Sequence, residues 1–98
     1  MKDLRFQWHA EKQKANMKKH GVSFAEASTV FFDYNARIKQ DPDHSVDEDR
    51  FLIVGISRNL RILVVSYCYR QNHEVIRIIS ARAATSVEIK DFGRRFRR

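Results

Sequence analysis

The residues of this sequence best suited to chemistry are arginines near the end of an apolar stretch. Arg77 interrupts the run Val75-Ile76-Arg77-Ile78-Ile79, where a guanidinium must either emerge on an open face or pair with a carboxylate such as Glu48 or Glu74. Arg82 follows at the junction with the next element, a position from which it can reach past a sheet rim to a phosphate. Arg70 closes the preceding apolar run, and Arg70-Gln71-Asn72-His73 reads either as part of the same site or as solvated turn. Cations grouped in this way suit phosphoryl chemistry. Cutting RNA without a metal needs a base for the 2′-hydroxyl, an acid for the leaving 5′-oxygen and positive charge at phosphorus. His44 lies among Asp41, Asp43 and Glu48 and reads either as the proton-transfer group or as a turn residue that caps backbone; Glu48 is the other proton carrier. Lys12, Asn16, Lys19 and His20 share one helical flank that either holds phosphate or stays wet, and His20 also suits a helix C-terminus.

These residues must be positioned by short elements. Leu4 to Trp8 alternates like a half-buried strand, and His9 to His20 forms a helix that stops at Gly21. Ser23-Phe24-Ala25-Glu26 has the form of a capping box and opens a second helix that ends near Phe32 or Asp33. Its apolar stripe is Phe24, Ala27, Val30 and Phe31. A short strand over Ala36 to Gln40 leads into an acidic, turn-rich loop from Asp41 to Asp49. Three strands follow, Arg50 to Ser57, Arg61 to Arg70 and Val75 to Ala81, with links too short for parallel crossovers. Thr85-Ser86-Val87-Glu88 opens a last helix. The order predicts an α+β fold: an N-terminal strand and two helices, an antiparallel meander, and a C-terminal helix. Helices then cover one sheet face and leave the other open for RNA. Ideal alternation sets Arg77 and Arg82 on opposite faces, so only a bulge, twist or break near Ser80 to Arg82 brings them together.

Composition narrows the partners. Ninety-eight residues with 43% hydrophobic content suit one domain over residues 1–98 with one modest core. A net charge of +7 and a pI near 10.0 favour a polyanion, whether RNA, DNA or an acidic protein surface. The single Cys68 reads as a buried structural thiol. No apolar run reaches the roughly 18 residues of a membrane span and none resembles a signal peptide, which places the chain in the cytoplasm, away from membranes. Zinc motifs and a phosphate-binding loop are missing, and Asp41-Asp43-His44 lacks clear supporting partners for a metal, so no metal and no cofactor are expected.

Four segments together resemble the BrnT toxin family. They are Trp8, Lys12 and Asn16 with Lys19-His20-Gly21-Val22-Ser23-Phe24; Asp41-Pro42-Asp43-His44-Ser45 with Glu48, Arg50 and Phe51; Gly55 and Ser57 with Arg61-Ile62-Leu63-Val64-Val65; and Ile76-Arg77-Ile78-Ile79-Ser80-Ala81-Arg82 with Ala84-Thr85 and Glu88. The resemblance implies a RelE-like fold, RNA cleavage that arrests translation, and neutralisation by a BrnA-type antitoxin in a hetero-oligomer. Operator DNA is then reached only through the antitoxin. It also implies a site drawn from His44, Glu48, Arg70, Arg77 and Arg82, with Lys12 and Lys19 in the second rank; the shared helical flank adds His20 to those two as an RNA contact. The sequence departs from the family pattern at three places. His9 replaces a frequent Asp and is a poor helix cap, Leu60 replaces a turn glycine and shifts the left-handed conformation to Asn59, and Phe92 replaces a tyrosine and so cannot donate a proton. A binding-only module or a corepressor subunit is the competing reading.

Overall fold

The computed structural model describes residues 4–41 and 49–94. Strand β1 (Arg5–Gln7) is followed by helices α1 (Ala10–His20) and α2 (Phe24–Thr29), and a 3-10 turn, Val30–Phe32, prolongs the latter. Strands β2 (Arg37–Gln40), β3 (Phe51–Ile56), β4 (Ile62–Arg70) and β5 (Val75–Ala83) come next, and helix α3 (Ser86–Arg94) ends the described chain. The expected α+β order is therefore observed. Its five strands form one sheet in the order β1-β5-β4-β3-β2. Strands β2 to β5 run antiparallel, while β1 joins β5 in parallel, which α1 and the elements after it make possible by providing a long connection.

The core lies on one sheet face. Val22, Phe24, Ala27 and Val30 pack there against Ile53, Leu63, Val65, Tyr67, Ile76, Ile78 and Ala81. Glu26 and Arg61 tie this layer together. Arg61 donates to both Glu26 carboxylate oxygens at 2.8 and 2.6 Å and to the Gly21 carbonyl at 2.9 Å, and the Ser57 hydroxyl donates to Glu26 at 2.7 Å. Paired chiefly with Arg61, the Glu26 carboxyl titrates at about 2. This partnership explains why the expected capping box forms only in part: Ser23 accepts from the Glu26 amide at 3.0 Å, while the Glu26 side chain turns to Arg61 and Ser57. Gly55 is required by close packing, because a Cβ there would sit 2.9 Å from Asp33 Oδ2 and 3.0 Å from Val30.

Two expectations are corrected. Helix α3 does not join the others on the core face: Glu88, Asp91 and Phe92 line a cleft of about 390 Å³ with Leu52, Val54 and Val64, which alternate with the core residues and so belong to the opposite face. Phe92 is buried there, acting as the apolar anchor that keeps α3 on the sheet. The left-handed residue in the β3–β4 turn is Leu60 itself, with φ of 62°, rather than Asn59. The turn is closed by the Leu60 amide donating to the Ser57 carbonyl, a geometry that assigns the strained position to Leu60 despite its Cβ. His9 does cap α1, through a long 3.3 Å contact from the Glu11 amide to Nδ1.

Candidate active site

A single irregularity decides the site. Ser66 pairs with Ser80, but Tyr67 pairs with Ile78, so Ile79 is an extra residue in β5. The bulge shifts the phase of everything beyond it. Burial records the shift: Ile76 and Ile78 face the core before it, and Ala81 faces the core after it. Arg77 is opposite Cys68 and Arg82 is opposite Val64, two residues of the same β4 face. Both arginines thus lie on the face away from α1 and α2. Arg70, two residues beyond Cys68, shares it, and so do Arg37 and Lys39, opposite Val54 and Leu52. The result is a basic sheet face.

The three arginines differ in their surroundings. Among the described residues Arg77 forms no ion pair, and its Nε is buried without a hydrogen-bond partner. The expected alternative, a pair with Glu74, is not the contact observed; Glu74 lies 3.7 Å from Arg5. Arg82 instead grips Glu88 of α3 with two bonds, Nη1 to Oε1 at 2.7 Å and Nη2 to Oε2 at 2.9 Å. Glu88 is also held by the Thr85 amide at 2.8 Å, and Thr85 Oγ1 accepts from the Glu88 amide, completing the capping box expected there. Arg82, aided by Thr85, lowers the Glu88 carboxyl to about 2, and Glu88 in turn raises Arg82. Arg70 lines a cavity at the end of β4 with Asp49, Phe51, Cys68, Tyr69 and His73.

The remaining candidates separate from this group. Lys12, Lys19 and His20 are exposed on α1, which contacts β5 from the core side, so they do not share the arginine face. Asn16, on the same flank, is structural. Its amide nitrogen donates to the Ala81 and Val22 carbonyls at 2.8 and 2.9 Å, and its oxygen accepts from the Ala81 amide at 3.0 Å. A side chain thus occupies the edge of β5 where β1 has ended. His44 and Glu48 lie outside the described residues. Sequence reasoning missed Arg37 and Lys39 as members of the basic face, although their alternation in Arg37-Ile38-Lys39-Gln40 was visible. It also read Glu88 only as a cap.

A family described as "Ribonuclease toxin, BrnT, of type II toxin-antitoxin system" matches residues 8–88. The chain belongs to the BrnT family. The crystal structure of the Brucella abortus ribonuclease toxin BrnT superposes with a TM-score of 0.67 at 23% identity, over 86% of this chain and all of that one, and shows the same fold. No curated protein matches. The family match runs from Trp8, just after β1, through Glu88, and therefore includes all three arginines and the bulge between two of them. As a member of a toxin–antitoxin family the chain has an antitoxin partner. Among the described residues no helix is long and apolar enough to cross a membrane.

Proposed function

We propose that this BrnT-family chain is an endoribonuclease that cuts RNA without a metal ion, thereby arresting translation in the cytoplasm, and that a BrnA-type antitoxin holds it inactive. The observation that carries the reading is the bulge at Ile79, which turns Arg77 and Arg82 to one face beside Arg70. In this scheme the RNA backbone crosses the basic face with the scissile phosphate against Arg77. Arg77 suits that place because its buried Nε leaves a donor to be satisfied where a pentacoordinate phosphorus would develop charge. Arg82, on the same face, shares the stabilisation of that charge, while Arg70 binds an adjoining phosphate. His44 or Glu48 takes the 2′-hydroxyl proton and returns one to the 5′-oxygen, leaving a 2′,3′-cyclic phosphate and a 5′-hydroxyl. Lys12, Lys19 and His20 add long-range attraction for RNA from the other side of the sheet. Antitoxin binding forms a hetero-oligomer, through which alone the chain reaches operator DNA.

The test is cleavage of total RNA by purified protein in EDTA, with 5′ ends mapped, for wild type and Arg77→Ala. Wild type is expected to generate new 5′-hydroxyl ends, relieved by antitoxin, and Arg77→Ala to lose about 100- to 1,000-fold in kcat. Full activity in folded Arg77→Ala removes the arginine from the chemistry. Intact RNA with wild type, together with salt-sensitive RNA binding, favours the binding-only reading.

A further inference from the structure

A run of aromatic rings leads out of the core to the rim beside Arg70. Phe31 meets Tyr67 at 4.9 Å between centroids, and Tyr67 meets Phe51 and Tyr69 at 5.7 and 5.6 Å. Tyr69 then meets His73 at 5.1 Å. Inside, these rings serve packing. At the rim they pack on one side only: His73 is exposed, Tyr69 and Phe51 rest half-buried against the core, and together with Asp49, Cys68 and Arg70 they line a cavity of about 210 Å³. The turn that carries His73 is unusual, since Gln71, Asn72 and His73 all have left-handed φ, of 53, 56 and 69°. Three non-glycine residues in that region carry strain, which persists only where surrounding structure holds it. Here it fixes an imidazole against Tyr69.

From this arrangement we infer that the cavity is a nucleobase subsite, built to take a guanine of the RNA next to the scissile phosphate. The inference rests on the ribonuclease reading and names a substrate preference for it. Three features point to a base. Aromatic and imidazole rings at the rim supply the stacking surfaces with which proteins hold unpaired bases. Arg70, which lines the cavity from the other side, belongs to the arginine face, so a base held against Tyr69 at this end of the sheet has Arg70 within reach of its phosphate. Asp49 supplies the edge contact. Among the described residues its carboxylate meets only the Gln40 amide, at a long 3.4 Å and through Oδ1. A carboxylate accepts but does not donate, and guanine is the base whose pairing edge offers two adjacent donors, N1–H and the N2 amine. Adenine and uracil present at most one donor there, next to an acceptor that repels the carboxylate.

The test measures binding of the four 3′-nucleoside monophosphates to wild type, Asp49→Asn and Tyr69→Ala, beside cleavage of oligoribonucleotides that differ only at one base flanking the cut. Wild type is expected to bind the guanosine nucleotide tightest and to cut beside guanine roughly tenfold or more faster than beside adenine. Asp49→Asn should erase the preference while still binding nucleotides; Tyr69→Ala should weaken all four, raising KM more than it lowers kcat. Thermal melts confirm that both variants are folded, and Tyr69→Phe, which keeps the ring, should restore binding. Guanine preference in binding without any RNA cleavage keeps the subsite and removes the ribonuclease reading. Cleavage indifferent to base identity, or a preference that survives Asp49→Asn, overturns the subsite and leaves that reading standing.

Discussion

Arg82 is bound to Glu88, so its removal has two consequences of different size, and separating them tests the site. The side chains of Arg82 and Glu88 are 40% and 33% exposed, so solvent screens the pair and its loss costs about 1 kcal/mol in stability. For a domain of this length that is about 4–8 °C in Tm. Catalysis should suffer far more. A guanidinium that stabilises charge only in the transition state contributes about 3–4 kcal/mol, or roughly 100- to 1,000-fold in kcat. Glu88→Gln supplies the control, because it breaks the same ion pair from the other side yet leaves the guanidinium available to phosphate. The assay pairs thermal melts with single-turnover cleavage of a defined RNA for both variants. We expect equal, small losses of stability, a large rate loss in Arg82→Ala and a rate within about tenfold of wild type in Glu88→Gln. Equal rate losses in the two variants would falsify the phosphate role and show that Arg82 acts by holding α3.

Other expectations concern the scaffold. Glu26 titrates at about 2 in the fold against 4.5 as an unperturbed group, so its contribution is full above pH 4.5 and disappears as pH falls to about 2. That shift corresponds to roughly 3 kcal/mol. Urea melts from pH 7 to pH 2 should show this fall in wild type, and a much flatter acid limb in Glu26→Gln; identical curves would remove the Arg61 pair as its origin. Leu60 is 86% exposed and holds a positive φ, so Leu60→Gly should stabilise by about 0.5–1 kcal/mol, the relief of the left-handed penalty exceeding the entropy that glycine adds to the unfolded chain. A lower Tm for Leu60→Gly counts against that strain. Asn16→Ala leaves the Ala81 and Val22 groups without their partner and should cost about 2–3 kcal/mol, with faster amide exchange at Ala81. Unchanged protection of that amide contradicts the strand-edge role.

Much of the architecture was written in local pattern. The helix starts at Ser23 and Thr85, the stop at Gly21 and the three β-rich runs follow from capping chemistry, left-handed glycine and side-chain alternation, all of which act within a few residues. So the sequence by itself determined the order of elements and the α+β class, and it singled out Arg70, Arg77 and Arg82 as candidates. Four matters depended on contacts distant in the chain. Burying Phe92 against the second sheet face placed α3 over the basic surface, which a helical stripe cannot announce because it names no partner. Asn16 became a strand-edge surrogate only because β1 ends before Ala81. Glu26 left its capping role once Arg61 came within reach. Above all, whether Arg77 and Arg82 share a face turned on one extra residue between Ile78 and Ser80. Alternation is fixed by backbone geometry within a strand, but a bulge arises from how two strands accommodate each other, and that information is shared between β4 and β5 rather than held by either.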